Sequence, residues 1–525
     1  MKIAVPPAAL KPLGKDWLWR PSLIVFISNA CVMTIELVAG RIIAPYVGVS
    51  LYTWTSVIGV ILAGMSAGNF IGGKLADRFA SRLALGALFI LAGIASLSVL
   101  YTANVFGQQG LALVPNLPLI VRMVAYIGII FFIPSTVLGT ISPLVVKLTL
   151  EDLSHSGSTI GKIYASSALG SILGTFATGY YLISWFGTRT IIFGVGIILI
   201  VMGLLLAVTG RQRIIAAAVS AALIVAVCIA PLQQVMAGPC MRETNYFCIR
   251  VHEKTLEDQS TVMVLTLDRL VHSYSSLDNP LKMVYQYEKV AAETTQYLAL
   301  RQKTLRALFI GGGGYTFPRY LEAVYPESSI DVAEIDPGVT QTAYEHLGLK
   351  AGTHIQSINE DARTFVEQLP ADQKYNLVLG DAFNDFSVPY HLTTREFNDK
   401  LRAHMTDDGI YILNLIDGKP FNFVAAFIRT LKLTFPNVYL IPTSTEYNNV
   451  ARSTFIVLTS AQPIDTDRLR QMTGNDDVRD IDQWLLPDSK IETLLSNGMQ
   501  LVLSDDFVPV DNLLAPMFEA SEAGN

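Results

Sequence analysis

The feature that most constrains this chain is a series of long apolar runs confined to its first 231 residues. Residues 22–44, 51–72, 83–101, 117–146, 163–183, 191–208 and 214–230 each approach or exceed the ~20 residues that a helix needs to cross ~30 Å of hydrocarbon. Seven membrane spans are therefore expected. An apolar fraction of 51% over 525 residues and a mean hydropathy of +0.41 fit a chain partly solvated by lipid and exclude a single soluble domain. Pairs of small residues four apart (Gly64 and Gly68, Gly68 and Gly72, Gly170 and Gly174) would let such helices approach closely.

Charge divides the chain at the same place. Residues 1–231 carry 14 Lys and Arg against 5 Asp and Glu, net +9, whereas the remainder carries 24 against 39, net −15. Eleven of the fourteen basic residues fall on the side of the N-terminus, which marks the cytoplasmic face of a multi-pass protein of the cell membrane. Seven spans then put the second half outside, where Cys240 and Cys248 could pair. The side on which that half works depends also on what it binds, and both placements stand at this point. Four cysteines without a CxxC spacing predict neither a disulfide scaffold nor a structural metal site.

Beyond residue 231 the pattern becomes β-rich and then alternates apolar strands with amphipathic helices. Strands are expected at 247–252, 261–267, 307–310, 330–333, 355–358, 375–379, 409–415, 438–441 and 454–458. The expected architecture is thus a helical membrane domain (1–231), a small β-rich subdomain (240–290), and a Rossmann-like, doubly wound parallel sheet (291–525). Such sheets bind ligands at the carboxyl ends of their strands. There the sequence places Gly311, Gly312, Gly313 and Gly314 after one strand, Glu334 after the next, Asp361 after a third and Asp381 after a fourth. Glycines let a backbone approach a ligand closely, and an acid twenty residues later can accept both ribose hydroxyls. The i, i+2, i+5 glycine spacing of a dinucleotide site is absent, because Thr316 or Phe317 stands at the last position. Asp361 can accept from an adenine amino group or cap a helix.

These residues, in this order, resemble the spermidine synthases, the aminopropyltransferases that use decarboxylated S-adenosylmethionine, and the whole chain resembles the membrane-fused branch of that family. Leu267 to His272 is similar to the family's Leu-Asp-Gly-x-x-Gln, and Tyr285-Gln286 falls where its catalytic Tyr stands. Asp381 falls on the first Asp of Asp-Ser-Ser-Asp, and residues 388–397 and 504–511 are similar to segments of the membrane-fused branch. The resemblance implies an S-adenosylmethionine-dependent transferase fold and an aminopropyl donor bound by Gly311 to Gly314, Glu334, Asp361 and His272. It implies catalysis by Asp381 with Tyr285 orienting the amine. Asn384, Asp385, Tyr390, His391, Asp505 and Asp506 are expected around a polyamine. No metal or nucleic acid is expected, the bilayer is, and a homo-oligomer is open.

The departures keep other readings open. Gly314 stands where the family has Asp, His272 where it has Gln, and Asn384 where it has the last Asp. An acid at 314 would repel the carboxylate of intact S-adenosylmethionine, so a glycine there admits that donor and with it methyl transfer or lyase or cyclase chemistry. A transporter or sensor that binds an adenosyl compound or a polyamine without turnover is the third reading.

Overall fold

The computed structural model describes residues 19–107, 109–113, 117–150, 156–207, 236, 238–382 and 388–523. The chain separates into two compact units, with the break at Gly238–Pro239.

The first unit is helical: Trp19–Val47, Leu51–Phe79, Arg82–Gly107, Leu119–Gly139 running on into Ile141–Thr149, Ser156–Ala177 and Thr188–Ala207. Among the described residues, five helices are long and apolar enough to cross a membrane: Pro21–Val47, Leu51–Phe79, Arg82–Gly107, Leu119–Thr149 and Thr188–Ala207. Ser156–Ala177, over the fifth expected span, is a helix of 22 residues but is interleaved with Ser, Thr and Gly and is not among those five. The seventh expected span, 214–230, lies outside the described residues. Small residues set the helix spacing as anticipated. A Cβ on Gly68 would lie 2.1 Å from the Thr136 carbonyl oxygen, and one on Gly170 would lie 2.2 Å from that of Phe26. Backbone packs on backbone at these positions, which is how helices associate where lipid removes the hydrophobic drive.

The second unit begins with a four-stranded antiparallel sheet: β1 (Arg242–Glu243), β2 (Cys248–Thr255), β3 (Thr261–Leu267) and β4 (Leu270–Ser275), in that order. The tight β3–β4 turn places Asp268 at φ 49°, in the left-handed region that Asp tolerates. The Asp268 carboxylate accepts from the Cys248 amide at 2.9 Å, and Cys248 is disulfide-bonded to Cys240. The following helix, Gln286–Ala299, buries Val290, Ala291 and Leu298.

The large sheet comprises β5 (Arg306–Ile310), β6 (Ser329–Ala333), β7 (Ile355–Ile358), β8 (Tyr375–Gly380), β9 (Met405–Asp417), β10 (Asn437–Pro442) and β11 (Ser453–Ser460), ordered β10-β11-β9-β8-β5-β6-β7. Strands covered by helices on both faces read as continuous apolar runs rather than alternating ones. Accordingly β8 is buried along its whole length and β5 from Ala307 onward. The sheet is doubly wound as expected, with its parallel strands extended at one edge, where β11 lies antiparallel between β10 and β9. The hairpin from β10 to β11 uses a short connection where a parallel pair would need a crossover helix. This is the order of the S-adenosylmethionine-dependent transferase fold. The direction of winding reverses between β5 and β8, so the switch-point crevice opens there.

Candidate functional site

The crevice at the ends of β5, β6 and β8 is lined by Gly311, Gly313, Glu334, Asp361, Asp381 and His391, with Phe247, Leu267 and His272 contributed by the small sheet. The turn after β5 is fixed by its neighbours. Gly311 has φ +96°, and a Cβ there would stand 2.6 Å from the Asp381 carbonyl oxygen, so only glycine lets the β5 and β8 ends close together. The Asp381 amide donates to the Ile310 carbonyl at 2.9 Å, and the Gly311 amide to that of Ala333 at 2.9 Å.

Glu334 ends β6 and is 5% exposed. One carboxylate oxygen accepts from the Gly312 and Gly313 amides at 2.8 and 3.2 Å, and the other from the Asp336 amide at 2.9 Å. Burial pushes its pKa up, against these three amide hydrogen bonds. Each carboxylate oxygen offers two lone-pair sites, so with three amides bound the group that shapes the glycine turn retains one site, on the oxygen that meets the Asp336 amide, for a hydroxyl donor.

Asp361 is the helix cap of the two roles weighed for it, and it stands in the crevice. It caps the helix Ala362–Gln368 by accepting from the Thr364 amide at 3.0 Å, and it lines the crevice. Its other oxygen meets His391 Nε2 at 2.6 Å. Burial alone would raise its pKa, but the Thr364 amide and His391 hold it below the usual range.

Asp381 stands at the end of β8 with both oxygens held. Tyr287 Oη donates to one at 2.7 Å and Asn414 Nδ2 to the other at 2.8 Å. Desolvation pushes its pKa up to about 6, against the lowering effect of Asn414 and Tyr287. Glu288, 1% exposed, sits at the start of the same helix, and burial followed by the charge of Asp381 raises it to about 8. Burial thus raises both of these neighbouring carboxyl groups, and the charge of Asp381 raises Glu288 further. Burial, then Arg452, lowers His272 to about 4, so the imidazole that lines the crevice is neutral.

Tyr287 and Asn414 were not anticipated. Tyr285, expected to orient the amine, donates its hydroxyl to the Val271 carbonyl at 2.9 Å, and its ring lies 5.6 Å from that of Tyr287. The Tyr-x-Tyr spacing at 285–287 was a signal that either ring could reach the site, but only the helix start at Gln286 decides which one does.

The expected acidic pocket is not formed by Asp505 and Asp506. Asp505 is clamped by Arg363 through two hydrogen bonds of 2.7 and 2.5 Å, which lower its pKa to about 2. Asp506 is exposed, and neither residue lines the crevice. Tyr390 is 60% exposed, with its ring edge-on to His391, and is outside the crevice lining as well. Asn384 and Asp385 lie outside the described residues. Among the described residues, no group of three His, Cys, Asp or Glu is placed to hold a metal ion.

Known proteins bear on this geometry. No family model matches the chain. A polyamine aminopropyltransferase of Vibrio vulnificus is 36% identical over 118 residues, which is 22% of this chain and 40% of that protein. A polyamine aminopropyltransferase of Corynebacterium efficiens is 26% identical over 421 residues, 76% of this chain and 77% of that protein. The crystal structure of a probable spermidine synthase from Corynebacterium glutamicum covers 50% of this chain and 95% of its own, at 16% identity and a TM-score of 0.42. The match to the Vibrio protein spans less than half of that relative's length. In sequence, the α/β unit is thus similar to polyamine aminopropyltransferases.

Proposed function

We propose that the α/β unit transfers an aminopropyl group from a decarboxylated S-adenosylmethionine-type donor to an amine, a polyamine being the best candidate. The observation that carries this reading is Asp381, a carboxylate fixed by Tyr287 and Asn414 at the switch point beside the glycine turn and Glu334. The adenosyl part of the donor would lie along Gly311 to Gly314, with a ribose hydroxyl on Glu334 and its base toward Asp361. The amine nitrogen attacks the propyl carbon next to the sulfonium, the carbon–sulfur bond breaks, and its electron pair makes the sulfur a neutral thioether. One proton must leave the amine. An ammonium with pKa near ~10 is poorly matched to an ordinary carboxylate, and raising the acid to about 6 narrows that gap by about two units. Asp381 holds the ammonium and takes one proton from it, which frees the nitrogen lone pair for attack, while Tyr287 and Asn414 keep the carboxylate aimed.

Asp381→Asn tests the role directly. Loss of a positioned proton acceptor removes on the order of 10²–10⁴ in rate, whereas donor binding, which depends on Glu334, should survive. Undiminished turnover in this variant would overturn the assignment. A second reading, transfer of the methyl group of intact S-adenosylmethionine, is favoured by one feature. A Cβ on Gly314 would stand 1.9 Å from Ser273 Oγ, so an acid that would repel the donor's carboxylate has no room there.

A further inference from the structure

The helical unit contains a cavity that the transferase reading does not use. Its volume is about 560 Å³, within the ~300–1,000 Å³ usual for small-molecule sites. Its walls come from Trp19–Val47, Leu51–Phe79, Ile141–Thr149 and Ser156–Ala177, and among apolar residues they carry Asn29, Asn69, Asp77, Ser142, Lys147 and Ser167.

Position along the helices gives the cavity a direction. Asn29 lies ten residues into Trp19–Val47 and Asn69 ten residues before the end of Leu51–Phe79. At ~1.5 Å per residue, each is about 15 Å from its helix end, half of a ~30 Å hydrocarbon layer. Asp77 and Lys147 each stand two residues from a helix end and form an ion pair of 3.0 Å, with side chains 72% and 50% exposed. The cavity therefore runs from a charged mouth to two amides at mid-depth. Polar side chains at that depth are costly in lipid and turn to the bundle interior or to a water-filled cavity. Asn29 makes one hydrogen bond, to the Val25 carbonyl at 3.0 Å, of the four an amide can make.

The cavity is also braced. Gly170 and Gly174 seat one wall helix against the backbone of Phe26 and Ala30, and Gly68 and Gly72 seat another against Thr136 and Thr140. These backbone contacts resist closing the space by side-chain repacking.

We propose that this cavity binds a small zwitterion of amino-acid size. One acid and one base at the mouth suit a ligand that carries both charges, offering the ammonium to Asp77 and the carboxylate to Lys147 as their own pair opens. A polycation would meet Lys147, and an anion would meet Asp77. The amides of Asn29 and Asn69 serve the polar groups of a ligand that has moved inward.

The test uses the full chain in lipid nanodiscs, titrated singly with the twenty standard L-amino acids, with propionate and glucose as anionic and neutral controls. Saturable binding of at least one amino acid and of neither control is expected, weakened at least tenfold by Asn69→Leu and by Ser167→Val. Both substitutions replace a polar group with an apolar one inside a lipid-facing bundle, so thermal stability without ligand should hold. Asp381→Asn should leave this binding unchanged, because Asp381 belongs to the other unit. Absence of amino-acid binding, equal binding of propionate or glucose, persistence in both apolar variants or loss in Asp381→Asn would each overturn the proposal.

Discussion

Replacing Tyr287 with Phe should move the acid limb of the pH–rate profile, and replacing Tyr285 with Phe should not. Asp381 is held at about 6 by desolvation that raises it and by two hydrogen bonds, from Asn414 and Tyr287, that lower it. Tyr287→Phe deletes the 2.7 Å donor on one oxygen and leaves the ring. A hydrogen bond to a charged group contributes about 1.5–3 kcal/mol, and ~1.36 kcal/mol corresponds to one pKa unit. The Asp381 carboxyl should therefore rise by about one to two units. Because the carboxylate is the active form, kcat/KM for thioether nucleoside release should begin to fall at correspondingly higher pH. Tyr285 donates instead to the Val271 carbonyl, so Tyr285→Phe should leave the limb in place. The pair of profiles, supported by a ¹³C-carboxyl NMR titration of Asp381, reads the effect. A limb that moves in Tyr285→Phe and not in Tyr287→Phe would refute the assignment of the tyrosine on Asp381.

Three further outcomes are expected. Glu334→Gln should weaken binding of an adenosyl ligand at least tenfold by calorimetry, since it removes the charge that organises the Gly312 and Gly313 amides and faces the ribose position; unchanged affinity would contradict that placement. Gly314→Ala should destabilise the α/β unit by about 1–3 kcal/mol, as overpacking against a stiff neighbour does, and Ser273→Gly should restore much of it, because the added Cβ meets Ser273 Oγ at 1.9 Å and its Cβ at 2.6 Å; denaturant unfolding of the single and double variants measures this. Asp505, lowered to about 2 by Arg363, adds stability that is present above its ordinary pKa near ~4 and is lost as pH falls through that value toward 2. The pair is partly exposed, so the increment should be under about 1 kcal/mol, and thermal melts of Asp505→Asn should lack that part of the acid dependence.

How far the sequence could be read depended on the range of the interaction. Apolar runs announced the helices of the first unit because a helix long enough to cross a membrane must be apolar along nearly its whole length. Ser156–Ala177 was harder to class, since Ser, Thr and Gly interrupt its apolar run, two of them, Gly170 and Gly174, packing on Phe26 and Ala30. In the second unit, Gly311, Glu334, Asp361 and Asp381 were legible because each follows a short apolar strand, and strand ends are where such a sheet collects its ligand groups. Asn414 was not: it lies inside β9, within an apolar run, and meets Asp381 only because β9 pairs with β8. Asp505 misled for the complementary reason. Its acidity is visible in the sequence, while Arg363, 142 positions away, neutralises it only in the fold.

The central claim is the chemistry at Asp381. Its most direct test is mass spectrometry of the nucleoside released when the purified full chain is incubated with decarboxylated S-adenosylmethionine and a polyamine mixture, and separately with the intact donor. Methylthioadenosine that forms only when both the decarboxylated donor and an amine are present, together with an amine product heavier by one aminopropyl group, is the expected result. S-Adenosylhomocysteine from the intact donor, with no methylthioadenosine from the decarboxylated one, would contradict the account and establish methyl transfer in its place.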